Sequence, residues 1–247
     1  MWIPTLRGRI DRRVLVNFRV DPAVLAKLVP PPFRPQLVGG FGLAGICLIR
    51  LAEVRIAGMP RALGIGSENA AHRVAVEWSE GGTSRNGVYI PRRDTSSRLN
   101  TLAGGLVFPG EHHLARFDVD ERDGEYRIAM QSADGCTQLS VVARLATTLP
   151  PNSVFASVAE ASRFFEKGSV GYSVTRCPTE LDALELRTFG WAVEPLRLES
   201  VSSSWFSDLE RFPEHSVELD SAFLMRGLEH EWRGRGLMRC GAAATAA

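Results

Sequence analysis

The chain has 247 residues, 45% hydrophobic and 23% charged, with a formal net charge of +1. That length and apolar content suit one large β-rich domain, and the near-neutral balance supplies no field that would draw in nucleic acid or a membrane surface. No apolar run approaches the roughly eighteen residues of a membrane helix, and residues 1–10 lack a signal-peptide core, so no nucleic-acid or membrane partner is expected.

In chain order, residues 14–18 form an apolar run that predicts a buried strand. Asp21 and Pro22 predict a helix start, as cap and first helical residue, with Val24, Leu25 and Leu28 on the apolar face and Pro30-Pro31-Pro32 ending it. Residues 41–51 read as a glycine-bearing strand and 59–66 as a loop. Residues 73–78 alternate polar and apolar, a half-buried strand, and Gly81-Gly82 turns the chain into a hairpin partner ending at Val88-Tyr89-Ile90. Pro91 cannot donate to a ladder, so pairing is expected to stop there.

Residues 95–103 predict a short helix with Leu99 and Leu102 inward. Residues 113–119, 126–131 and 137–145 predict an antiparallel meander turning at Asp123-Gly124 and Asp134-Gly135. Ser157 and Glu160 form a capping box for a helix over Val158–Lys167, stopped by Gly168. Residues 184–188, 191–203 and 217–224 read as further strands, and 241–247 as a disordered tail. The expectation is a single domain over residues 1–240, mainly β (α+β), with short helices on the outer wall. Its antiparallel sheet should close into a barrel, because closure removes exposed edges.

Polar chemistry concentrates between Asn86 and His113. Arg92, Arg93 and Asp94 follow an apolar strand at once, and Glu111, His112 and His113 come about twenty positions later. Guanidinium is the natural partner of a substrate carboxylate, so Arg92 and Arg93 are candidate anion binders. They alternate across a strand, and the inward one should be paired with Glu68 or Asp94, since an uncompensated buried charge is expensive. Asp94 alternatively caps the turn that follows. Of the two adjacent histidines only one can face inward; His112 is favoured, as an acid or base near neutral pH.

Of the 29 basic residues only Lys27 and Lys167 are lysine. Cys47, Cys136, Cys177 and Cys240 lack Cys-x-x-Cys spacing, which predicts neither zinc site nor disulfide framework and suits a reducing cytoplasm. No phosphate-binding glycine loop and no His-x-x-x-His pattern occurs, so neither a cofactor nor a metal is expected. Homo-oligomerisation is left open.

Asp21-Pro22, Leu25, Leu28-Val29-Pro30 and Phe33-Arg34-Pro35 resemble the opening of acetoacetate decarboxylase-like proteins. The order of elements from Glu68-Asn69-Ala70 through Gly104-Gly105 to Phe108-Pro109 is similar to that superfamily too, and closest to an uncharacterised bacterial branch of it. The resemblance covers most of residues 7–235. It implies a cone-like closed β-barrel with chemistry in an internal cavity. The decarboxylase uses a Schiff-base lysine beside a second lysine, but the matching segment here reads Phe108-Pro109-Gly110-Glu111-His112-His113. Imine chemistry is therefore not expected. The superfamily also keeps a glutamate, matched here by Glu68 in preference to Glu77. The resemblance leaves two readings: an enzyme acting on a small organic (keto) acid by acid–base chemistry, with His112 and Glu68 moving protons and Arg92, Arg93, Asp94, Glu111 and His113 holding substrate, or a non-catalytic barrel that binds a small molecule in its cavity.

Overall fold

A computed structural model describes residues 4–102 and 110–240. Gly104-Gly105, Phe108-Pro109 and the tail 241–247 lie outside the described residues. Thirteen strands dominate. They are β1 (Leu6–Val20), β2 (Arg34–Pro35), β3 (Leu37–Val38), β4 (Phe41–Ile56), β5 (Ile65–Glu80), β6 (Thr83–Thr95) and β7 (His113–Arg122), then β8 (Glu125–Ser132), β9 (Gln138–Leu145), β10 (Val170–Val174), β11 (Glu180–Phe189), β12 (Glu194–Ser203) and β13 (Val217–Arg239). Among the described residues three α-helices, α1 (Pro22–Leu28), α2 (Arg98–Leu102) and α3 (Val158–Lys167), and a single 3-10 turn, Arg61–Leu63, interrupt them.

Local chemistry accounts for the connections. Asp21 accepts hydrogen bonds from the amides of Ala23 and Val24, and α1 buries Leu25. At the hairpin turns Gly81-Gly82 and Asp123-Gly124 every residue has a positive φ, the geometry that matches the right-handed twist of the flanking strands. Ser157 caps α3 by accepting from the amide of Glu160, while Glu160 Oε2 accepts from the amide of Ala156, one residue earlier than in a reciprocal capping box.

All thirteen strands join one large sheet. It is mixed rather than purely antiparallel: β10 pairs parallel to β6, and β6 parallel to β7. Strand β10 has no counterpart in the sequence reading. The sheet path runs β11, β10, β6, β7, β8, β9, β12, β13, β1, β4, β5, β2, with further pairings of β11 to β13 and β6 to β5.

The apolar core lies on both sides of the central strands. On one face Val14, Val16, Ile46, Val74 and Val76 pack with Ile128 and Val141 of the meander. On the other, Leu15, Leu43, Cys47 and Ala75 pack with Phe155, Ala161 and Phe165. Residues 73–78 are therefore buried on both faces, not half-buried, because α3 covers the second one. The helix α3 packs against this second face, and its Phe164 and Phe165 line a cavity beneath it. Leu99 points outward, 63% exposed, contrary to expectation; the side chain of Leu102 is outside what is described. Among the described residues no helix is long and apolar enough to cross a membrane.

Candidate functional site

Pro91 does not end β6. Tyr89 pairs with Val74 and Arg92 with His72, so Ile90 and Pro91 together stand opposite Arg73 alone. This is a β-bulge, and it leaves Pro91 where no ladder donor is required. The extra residue also changes which side chains share a face. Val88 and Ile90 line a cavity on the α3 side, and beyond the bulge the next residue to do so with its side chain is Arg93. Arg92 turns to the opposite face.

The cavity has a volume of about 130 Å³ and lies between α3 and strands β1, β4, β5, β6, β10 and β11. Its wall is largely apolar, with Leu15, Ile49, Ile90, Phe164, Phe165 and Leu184 among the lining residues. Into this wall project three guanidiniums, Arg13, Arg73 and Arg93, together with His112. Arg93 Nε donates to Ser173 Oγ at 2.8 Å. Arg73 donates to Asn17 Oδ1, stacks over the Phe165 ring at 5.0 Å and leaves its buried Nε without an acceptor. Arg13 Nε donates to Cys47 Sγ at 3.3 Å. Among the described residues none of the three forms an ion pair with a carboxylate. Asp94 also borders the cavity but is committed to Arg92. Burial lowers the pKa of Arg73 and Arg93 to about 10 each, which leaves both charged at neutral pH.

His112 lies on the same wall, and its Nδ1 is 3.2 Å from the carbonyl oxygen of Gly110. Burial first, then the charge of Arg93, push its pKa down to about 3, so the ring is neutral at physiological pH. A negative charge arriving at Arg93 would cancel the second of these effects and raise the proton affinity of His112.

The remaining sequence candidates gather elsewhere. Arg92 Nε and Nη2 both donate to Asp94 Oδ1, at 3.1 and 2.9 Å, and Nη2 reaches Asp134 Oδ2 at 2.8 Å. His113 Nδ1 is 3.3 Å from the same Asp134 oxygen. Burial lifts the Asp94 carboxyl above its usual range against the pull of Arg92. Burial acts on Arg92 in the opposite sense to its two carboxylate partners, which prevail and hold its pKa up. The forked geometry marks an ionised pair. Asp94 is thus the partner of an arginine, as one of its two readings held, but of the arginine that turns away from the cavity. Its alternative as a cap falls to Ser97, whose Oγ accepts from the amide of Asn100 at the start of α2, while Thr95 Oγ1 accepts from the amide of Ser97.

Glu68 pairs with neither Arg92 nor Arg93. Its Oε2 accepts from Arg12 Nη2 at 2.6 Å and its Oε1 from Arg50 Nε at 2.5 Å, and both arginines also reach Glu121. This four-residue network lies away from the cavity wall, so Glu68 and His112 are not brought together. Glu111 borders a neighbouring depression with Arg176 and Cys177, which His112 lines as well as the cavity. Lys27 and Lys167 are both exposed, and neither lines the cavity. Sequence reasoning missed Arg13 and Arg73. The available signal was that Arg12-Arg13 and His72-Arg73 are charged pairs inside apolar strands, which must send one member to each face.

Among the described residues no three metal-ligating side chains converge. A family model described as an uncharacterized conserved protein matches residues 8–208. The chain belongs to this family, DUF2071. No curated protein matches it in sequence. Solved structures similar to this DUF2071 protein are acetoacetate decarboxylase-like. Acetoacetate decarboxylase from Legionella pneumophila aligns with a TM-score of 0.61 at 11% identity, over 99% of this chain and 90% of that one. An acetoacetate decarboxylase-like enzyme from Sphingomonas wittichii RW1 aligns at 0.57 and 15% identity, over 95% and 92%. The enduracididine biosynthesis enzyme MppR, complexed with pyruvate, aligns at 0.60 and 12% identity, over 98% and 92%. At such identities the likeness is one of fold.

Proposed function

We propose that this protein binds a small organic acid in the α3-side cavity and acts on it without an imine. Following paired strands from β1 through β4, β5, β6, β10, β11 and β13 leads back to β1, which supports reading them as a closed barrel wall around that cavity. The observation that carries the reading is the guanidinium of Arg93, facing the cavity with a serine hydroxyl instead of a carboxylate for a partner. Burying a charge this way is unfavourable unless something neutralises it. A ligand carboxylate does so, and the apolar wall at Ile90, Leu184 and Phe165 would take its carbon skeleton. His112 is the group positioned to move a proton, and its basicity rises as the ligand charge offsets Arg93. Glu68, held by Arg12 and Arg50, drops out of the proton-transfer role. That a structural neighbour is complexed with pyruvate supports a keto acid as the first ligand to try.

The test is a thermal-shift and calorimetric screen with pyruvate, acetoacetate and medium-chain fatty acids, each beside its neutral amide. The acids should raise the melting temperature and their amides should not, because ligand binding to the native state alone stabilises it. Arg93→Met should abolish the shift. Borohydride treatment with pyruvate should leave the chain mass unchanged. Equal shifts from acid and amide, or an undiminished shift in Arg93→Met, would remove the anion site; a borohydride-trapped adduct on Lys27 or Lys167 would remove the non-imine chemistry.

A further inference from the structure

Resting on that reading, we infer that the cavity's ligand is a dianion, a small dicarboxylic acid whose two carboxylates are held by separate guanidiniums. Arg93 alone would satisfy a monocarboxylate. The cavity, however, is lined by two more arginines that form no ion pair among the described residues. Arg73 is 5% exposed, donates to the neutral Asn17 oxygen and keeps its buried Nε without an acceptor among the described residues. Arg13, half-buried, donates to the Cys47 sulfur. Most nearby carboxylates are engaged elsewhere: Asp94 by Arg92, Glu231 by Arg7 and Arg233, and Glu185 by Arg235. Asp182 acts on Arg93 from a distance, its Oδ2 accepting from the amide of Gly110 at 2.8 Å, and Glu166 borders the depression that Arg13 shares. Among the described residues none of the three arginines forms an ion pair, so the cavity carries an excess of positive charge.

Their placement separates them into two loci. Arg93 stands on β6 with its Cα opposite Ala71 of β5, and Arg73 lies two residues along that neighbouring strand. Arg13 stands on β1, two strands beyond β5. At about 4.8 Å per strand spacing, its backbone is roughly 14 Å from that of Arg93 across the curved wall. Long side chains reaching inward from both sides span what remains. Arg13 also borders an adjoining depression beneath the end of α3, shared with Phe165, Gly168, Ser169 and Leu186 and flanked by Arg187. The inner carboxylate would meet Arg93, which reaches toward Ser173 of β10, and the outer one Arg13 and Arg73, which reach toward Cys47 of β4 and Asn17 of β1. A monoanion leaves the outer locus unneutralised.

The deciding pair of probes is 2-oxoglutarate and 2-oxopentanoate, which share a chain length and keto group and differ in the second carboxylate. By calorimetry the wild-type protein should bind 2-oxoglutarate at least about tenfold more tightly, the size expected of one added guanidinium–carboxylate contact. In Arg13→Met that ratio should fall to near one, with Arg13→Gln as the second variant should the first fail to fold. Equal or tighter binding of 2-oxopentanoate by the wild type, or a ratio that survives in the Arg13 variants, overturns the dianion assignment while leaving an organic-acid site intact. Binding of neither acid overturns the organic-acid site itself, and the dianion with it.

Discussion

Six arginines of the central strands, three on each face, stand in opposite circumstances. Arg12, Arg50 and Arg92, on one face, are each tied to at least two carboxylates. Arg13, Arg73 and Arg93, on the other, are tied to sulfur, amide oxygen and hydroxyl. Two of these come from adjacent pairs, Arg12-Arg13 and Arg92-Arg93, so the same residue type one position apart has been given opposite surroundings. The paired set offsets its own burial; the unpaired set carries a burial cost that the proposed anion would offset. A charge in a protein interior is therefore read better from its partners than from its type.

The largest difference should come from removing one arginine of each kind. Arg92→Met leaves Asp94, whose side chain is fully buried, without its guanidinium. Breaking a buried pair from one side costs roughly 3–5 kcal/mol, and urea denaturation should show a loss of that size. Arg93→Met removes a buried guanidinium that forms no ion pair among the described residues, so that variant should melt close to or above the wild type. Equal losses in the two variants would erase the distinction between the faces.

Acid should expose the second effect. His72 and His112, both lowered to about 3, and His230, lowered to about 4, are kept neutral chiefly by burial. Each folded-state value lies below the unfolded value of 6.5. Their contribution to stability is therefore complete above pH 6.5 and is lost as the pH falls toward the folded values. Urea midpoints should decline across that window; a flat profile would mean the rings are reached by water.

The finest test assigns each histidine to its own arginine. After burial, the largest influence on His72 is Arg92 and on His112 is Arg93. Titrations followed by nuclear magnetic resonance should show Arg92→Met raising His72 alone and Arg93→Met raising His112 alone. Crossed effects would mean that the sheet does not insulate one face from the other.

Much of the scaffold was legible because its signals are local. Asp21-Pro22, Asp123-Gly124 and the Ser157 cap act within four residues, and each produced the expected start or turn. The site was legible only in outline. Residues 86–113 supply Arg93 and His112 to the cavity wall, but which of Arg92 and Arg93 faces it rests on a bulge set by the register of β6 against β5, which no single strand discloses. Glu68 was matched to the wrong arginine because its partner Arg12 is 56 positions away. Arg13 and Arg73 went unnoticed because each sits in a strand whose second face appeared free of function. The parallel contacts of β10 and β7 with β6 have no signature in either strand.

Strand β13 carries a consequence for how the protein is made. It pairs with β1 along fourteen positions, from Leu6 opposite Trp232 to Val20 opposite Val217, and it also pairs with β11 and β12. During synthesis β1 emerges first and its partner last. At about 5–20 residues per second, the intervening chain of some two hundred residues keeps β1 waiting on the order of ten to forty seconds. Through that interval the hydrogen-bonding edge destined for β13 is open, flanked by Val14, Leu15 and Val16, an apolar segment suited to pairing with another chain. Contacts so distant in sequence also make closure slow. Yield in a cell should therefore depend on how well nascent chains are shielded, and a slower ribosome should lower the yield of soluble protein unless chaperones cover that edge.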